Sequence, residues 1–272
     1  MITLLKQEIY KLMKRPSLVV FIILLFCFQL AVALIAMKYP NLLNIKATFV
    51  SNFFAPVLIV FYMIAVGSTQ LSSEIQYGTL KTLLYRQYSF AQILLSKWLA
   101  LLIGVILLYV SSACMSVIIK ILVLNNQFAL NAHVWQLWSL NIVATFLTLL
   151  FLLCFVELIA TLFENSTPAI IVGISAYFVI SIFNQLMFMM IDQHPWLKWN
   201  PVNMLNLGEQ IGNQQLSRMT QLTLGQITVG YVVYIGCFLL AGLFIFKKRI
   251  QINYQNNGIK KQCQPSRSMN QR

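Results

Sequence analysis

From Leu18 to Met37 the chain reads LVVFIILLFCFQLAVALIAM, with Gln29 as its one polar residue. Coiled as a helix, a run of about 20 apolar residues matches the hydrocarbon thickness of a bilayer, roughly 30 Å. Hydrocarbon offers no water to bond the backbone, so a single spanning run has to pair its own N–H and C=O groups as a helix. Five more apolar runs follow. The predicted spans are 18–37, 48–70, 98–123, 138–163, 168–190 and 225–246. Composition agrees, with 59% hydrophobic and 9% charged residues, whereas a soluble domain carries about a quarter charged residues. The pattern predicts an all-α integral membrane protein. One transmembrane domain, 1–272, is expected, without internal repeats or a low-complexity linker, ending in a basic tail at 247–272.

A net charge of +13 would suggest nucleic acid in a soluble chain. Here no soluble domain is set apart and no zinc-finger or RNA-binding signature occurs, so no nucleic-acid partner is expected. Lys and Arg instead collect on cytoplasmic loops. Placing both termini inside puts there Lys6, Lys11, Lys14 and Arg15, then Lys81, Arg86 and Lys97, then Lys247, Lys248, Arg249, Lys260, Lys261, Arg267 and Arg272. Lys38, Lys46, Lys120, Lys198 and Arg218 fall on the other side. The expected location is the cell membrane, multi-pass, with both termini cytoplasmic. The first apolar run is too long for a secretory signal and is read as an uncleaved span. Cys27, Cys114, Cys154 and Cys237 sit in apolar runs and read as small buried hydrophobes.

Residues 1–15 predict an amphipathic helix on the membrane surface, with Ile2, Leu5, Ile9, Leu12 and Met13 on one face. Pro16 breaks the path into span one. The "ENSTP" turn offers Ser166 or Thr167 as a cap and Pro168 as the first helical residue. Residues 191–224 predict one or two short helices at, or dipping into, the outer surface; a solvated loop is the alternative. Trp196 and Trp199 there suit the headgroup belt.

The stretch SSEIQYGTLKTLLYRQYSFAQILLSK joins spans two and three. Gly78 suits a helix end, and Thr79 can cap a stub carrying Leu80, Leu83 and Leu84 on one face. Ser89 and Gln92 fit a capping box, with Tyr88 and Ile93 as its hydrophobic staple. Lipid or a protein partner would have to cover the apolar face of such a stub.

This stretch resembles the cytoplasmic loop of permeases of the type-2 exporter class of ABC transporters. The residues that carry the likeness are Glu74, Gly78-Thr79-Leu80, Arg86 and Lys97. The amphipathic start, the six spans and the long segment before span six agree. Gln87 stands where a common version of the motif has Pro. The resemblance implies a coupling helix that docks on a separate ATP-binding subunit through Glu74, Gly78, Thr79, Leu80, Leu83, Leu84 and Arg86. It also implies a second permease chain, the same or related, and includes permeases that expel antimicrobial peptides. The chain has no GxxxxGK[ST] phosphate loop, so ATP hydrolysis is expected in another chain and no cofactor or enzymatic chemistry in this one.

Polar residues inside spans are the other candidates. Glu157 is either a pathway residue or a structural carboxylate, paired with Lys or Arg of the amphipathic helix or protonated; the structural reading is preferred. Gln29, Asn184 and Gln185 either bond across helices or line a pathway, and the structural reading is preferred. His133, His194 and Asp192 lack further ligands, and no metal is assigned. Two other functions stand as alternatives: an ion-gradient-driven transporter with Glu157 as proton carrier, and a non-transporting membrane scaffold or sensor.

Overall fold

The computed structural model describes residues 2–77, 88–125, 127–163, 165–213 and 215–262. Among these it is all helix and turn. The elements are α1 (Ile2–Met13), α2 (Pro16–Lys38), α3 (Ile45–Val50), α4 (Ala55–Gln76), α5 (Phe90–Leu122), α6 (Ala132–Ala160), α7 (Ser166–Gln193), the short α8 (Pro201–Met204), α9 (Leu207–Gly212) and α10 (Leu216–Thr220), and α11 (Leu224–Gln262). Six of them are long and apolar enough to cross a membrane. That is compatible with a multi-pass membrane protein. The predicted coupling stub at 78–87, including Gly78, Thr79, Leu80, Leu83, Leu84 and Arg86, lies outside the described residues.

Helix α4 is the centre of the bundle, packed by α5, α6 and α7, while α11 lies on α6 and α2 on α5. Small residues and aliphatics let these helices close up, and the core runs through Ile59, Met63, Ile64, Leu101, Leu108, Leu149 and Leu153. Along α7 and α11 most side chains face outward, Ile182, Met189, Val229 and Phe244 among them, as apolar helices do when lipid is the solvent. Of the four described cysteines only Cys154 is buried; its Sγ accepts a 3.0 Å bond from Trp98 Nε1. Cys27, Cys114 and Cys237 lie on the outer surface, which corrects the expectation of buried thiols.

Helix α1 forms as expected, yet its packed face differs. Leu4, Glu8 and Leu12 are buried and Ile2 and Met13 are exposed. The helix lies against α5. Gly104 makes the approach close: a Cβ there would sit 2.9 Å from Leu12 Cδ2. The sequence face was misjudged because Glu8 counted as polar, whereas two lysines neutralise it in the fold. Pro16 opens α2 at its first turn, where a missing N–H costs nothing.

Span two was expected from residue 48. Instead α3, capped by Asn44 Oδ1 accepting from Lys46 and Ala47 N–H at 3.0 and 3.3 Å, occupies 45–50. Asn52, Phe53 and Phe54 then turn left-handed, with φ of 54°, 51° and 59°. Each such residue costs roughly 1–2 kcal/mol when it carries a Cβ. Burial of Phe53 against Phe49, and of Phe49 against Phe128 and Trp138, offsets that cost. At the "ENSTP" turn Ser166 is already helical and no side chain caps α7; Ser166 Oγ donates to Gln76 Oε1 at 3.3 Å instead, tying the start of α7 to the end of α4.

Candidate functional site: a buried ion cluster and a polar cleft

At the end of the bundle where α4 stops and α5 begins, four charged side chains meet. Lys97 Nζ lies 2.8 Å from Glu74 Oε1 and 3.2 Å from Glu8 Oε2, and also donates to Gln70 O at 3.3 Å. Lys11 Nζ lies 2.7 Å from Glu8 Oε1 and 3.2 Å from Glu74 Oε1. Gln70 Nε2 donates to Glu8 Oε2 at 3.3 Å. Side-chain exposure is 1% for Lys97, 3% for Glu8 and 11% for Glu74, against 53% for Lys11. The square is therefore closed on three sides and open at Lys11, beside a cavity of about 240 Å³ that Arg15 and Ser73 also line.

Each helix delivers its charge for a local reason. Glu8 and Lys11 are one turn apart on α1. Glu74 lies in the last turn of α4. The Ser89 capping box, present as the sequence predicts, sets where α5 begins: Ser89 Oγ accepts from Gln92 N–H at 3.2 Å, and Gln92 Oε1 accepts from Ser89 N–H at 3.1 Å. Lys97 follows seven residues after Phe90, roughly 10 Å along the helix. Burial opposes ionisation of Glu8, but the charges of Lys97 and Lys11 and the amide of Gln70 outweigh it and hold the carboxyl below its ordinary 4.5. Burial likewise works against the Lys11 ammonium, while its bonds to Glu8 and Glu74 raise it above 10.5.

Lys97, which the charge pattern placed in a loop, and Lys120, near the end of the predicted third span, are both buried. Lys120 Nζ donates to Leu124 O at 2.8 Å and Asn125 O at 3.3 Å and sits 4.2 Å from the Phe128 ring centroid, closing the end of α5. Glu74 is turned into the cluster rather than outward. Glu157 is also buried, three residues before the end of α6. Among the described residues its Oε2 has no hydrogen-bond partner and it forms no ion pair with α1, so of the two structural alternatives the pairing is not formed. Lys97 is the cation whose field reaches it, but Glu8 and Glu74 hold that ammonium. Sequence reasoning missed Glu8, Gln70 and Lys97 as one unit. The available signal was Glu8 between Leu4 and Leu12 on the i, i+4, i+8 row, a charge in an otherwise apolar stripe.

Gln29 is a cross-helix knot. Its Nε2 donates to Ser116 Oγ at 2.9 Å, Ser112 Oγ at 3.1 Å and Asn52 O at 3.2 Å. Asn52 Nδ2 donates to Ser112 Oγ at 2.7 Å, and Ser116 Oγ donates to Asn52 Oδ1. This bonding pins the left-handed turn to α2 and α5.

At the opposite end, residues 195–222 form short helices that fold back into the bundle, the dipping arrangement rather than a solvated loop. Helix α9 packs on α6, and Gly208 meets the backbone of Ala144, so close that a Cβ would fall 2.6 Å from Ala144 Cα. Ala144 is twelve residues into α6, roughly 18 Å along it. Polar side chains satisfy the inserted backbone: Asn203 Nδ2 donates to Lys198 O at 2.7 Å and Thr220 O at 3.1 Å, and Gln210 Nε2 to Leu222 O at 2.9 Å. Asn184 on α7 exchanges two bonds with Asn206, at 2.8 and 2.9 Å. Between α6, α7 and this segment lies a cleft of about 380 Å³, lined by Asn184, Gln185 and Glu209 together with Tyr177, Phe188 and Leu205. Two of the predicted pathway residues thus meet in one cleft, and Gln29 and Glu157 line neither it nor each other's surroundings.

Among the described residues no group of His, Cys, Asp and Glu could hold a metal ion; Asp192 Oδ1 accepts from Gln221 Nε2 at 3.0 Å. No curated protein matches the chain. Residues 12–249, spanning all six long helices up to the start of the tail, match the family described as "Protein of unknown function (DUF2705)", and the chain belongs to that family.

Proposed function

We propose that this chain is the membrane-spanning permease subunit of an ABC transporter of the type-2 exporter class. It would export a peptide, lipid-like or drug-like substrate with energy from a separate ATP-binding subunit, alongside a second permease chain. The observation that carries the reading is the ion cluster. Glu8 and Lys11 of α1, Glu74 of α4 and Lys97 of α5 are bonded together directly beside the two helix ends that flank residues 78–87. A push on that connecting segment would move α1, α4 and α5 as one body. Such a rigid joint is what transmission from a docked ATPase to the bundle requires. Lys6, Lys14, Lys247 and Lys248, exposed at the two ends of the described chain, support cytoplasmic termini. Single cysteines at 81, 198 and 262, in a background without native cysteines, test this: an impermeant label should reach only 198.

The functional test is Leu83→Asp. An unpaired charge buried in a protein groove is strongly unfavourable, whereas at a lipid surface it would reach water. Expression should persist while an ATP-binding subunit no longer co-purifies and ATP-dependent transport stops. Co-purification at the wild-type level would refute the coupling role. One observation favours a second reading, an ion-gradient-driven transporter: the unbonded carboxyl oxygen of buried Glu157. Flux in proteoliposomes without any ATPase would establish it. A scaffold or sensor predicts partner binding and no flux at all.

A further inference from the structure

We propose that the cleft between α6, α7 and the inserted segment is a binding site for an organic cation carrying an apolar body. The inference deepens the transport reading, on which it rests for its physiological role, by naming the ligand chemistry. The volume of about 380 Å³ suits a small amphiphile. Glu209 is the sole charged residue on the lining, and no described group pairs with its carboxylate. It stands beside Gly208, whose contact with Ala144 sets the segment deep along α6. The Glu209 side chain is exposed where the cleft opens, so its carboxylate can meet a ligand cation directly.

The remaining lining divides by chemistry. Asn184 and Asn206 spend their amides on each other, and Ser181 Oγ donates to Tyr177 O at 2.8 Å. Thr148 Oγ1 likewise donates to Ala144 O at 3.1 Å, so these groups build the wall, and Gln185, Glu209 and the Tyr177 hydroxyl are the remaining polar groups of the lining. Tyr177 and Phe188 supply aromatic faces, which attract onium groups as well as apolar surface. Leu152, Ile180 and Leu205 complete an apolar side. An anion would meet an unneutralised carboxylate there, and a neutral apolar molecule would leave it unpaired.

The test uses purified full-length protein in maltoside micelles and the isosteric ions tetraphenylphosphonium and tetraphenylborate, followed by titration calorimetry. Saturable binding of the phosphonium and none of the borate is expected. Glu209→Gln should weaken phosphonium binding about tenfold or more, the loss of one charge interaction, with an unchanged melting midpoint. Glu209→Asp, which keeps the charge, should bind within about threefold of wild type, since the shorter arm still reaches a diffuse cation. Added phosphatidylcholine that competes assigns the site to a choline headgroup; absence of competition assigns it to a soluble amphiphilic cation. Either arm supports a cation site. Equal affinity for both ions, no saturable phosphonium binding, or full binding by Glu209→Gln would overturn it. The assay contains no ATPase, so co-purification of an ATP-binding subunit with Leu83→Asp at the wild-type level, alongside intact phosphonium binding, would sink the transporter class alone.

Discussion

Replacing Lys97 with Met tests whether the ion cluster holds α1 to the bundle. The Lys97 ammonium has 1% exposure and places its three bonds on Glu74, Glu8 and the Gln70 carbonyl. Met fills similar volume, so the change removes charge and donors with little loss of packing. It leaves the Glu8 carboxylate, 3% exposed, with the half-exposed Lys11 as its cation and the Gln70 amide as its remaining donor. Removing one partner of a buried pair typically costs about 3–5 kcal/mol, because the abandoned charge stays desolvated. For a chain of this size that corresponds to a fall of roughly 6–20 °C in melting midpoint. Thermal aggregation followed by size-exclusion chromatography in detergent reads this directly. Glu8→Gln combined with Lys97→Met should recover part of the loss, since one stranded charge is removed. A midpoint shift below about 2 °C for Lys97→Met, or no recovery in the double variant, would show that the cluster is an open, hydrated contact.

Other outcomes follow from the same geometry. Glu8 has a depressed pKa in the folded chain, so its contribution is present above about 4.5 and is lost as pH falls through the folded value. Lys11 has a raised one, so its contribution is present below 10.5 and is lost as pH rises through the folded value. The hydrogen-exchange protection factor of α1, its rate relative to that of the unstructured peptide at the same pH, should therefore be highest between these limits and fall on both sides, with the acid limb absent in Glu8→Gln. Gly208→Ala forces a methyl into the Ala144 backbone and should cost about 1–3 kcal/mol or more, read as a lower melting midpoint, while Gly212→Ala, with open space around it, should be neutral. Ser89→Ala removes the capping bond and should cost about 1 kcal/mol, measured the same way.

The six long helices, the Pro16 break and the Ser89 capping box were all legible in the chain, because each rests on a local cause. An apolar run must be helical in hydrocarbon, a proline removes its own donor, and a serine can reach the N–H three residues on. Tertiary structure decided which polar residues meet. Glu8 reads as the flaw in an amphipathic face until Lys97, far along the chain, is brought to 3.2 Å from it. Lys97 itself reads as a loop charge until the fold buries it. Asn52–Phe54 carries no Gly to announce a left-handed turn; the bonds of Gln29, Ser112 and Ser116 and the burial of Phe53 impose it. Asn184 and Gln185 were visible as polar residues in a span, but Glu209 joined them only because Gly208 lets the segment after α7 fold back onto Ala144. Patterning sees the environment of one helix at a time, and these contacts depend on the distance between helices.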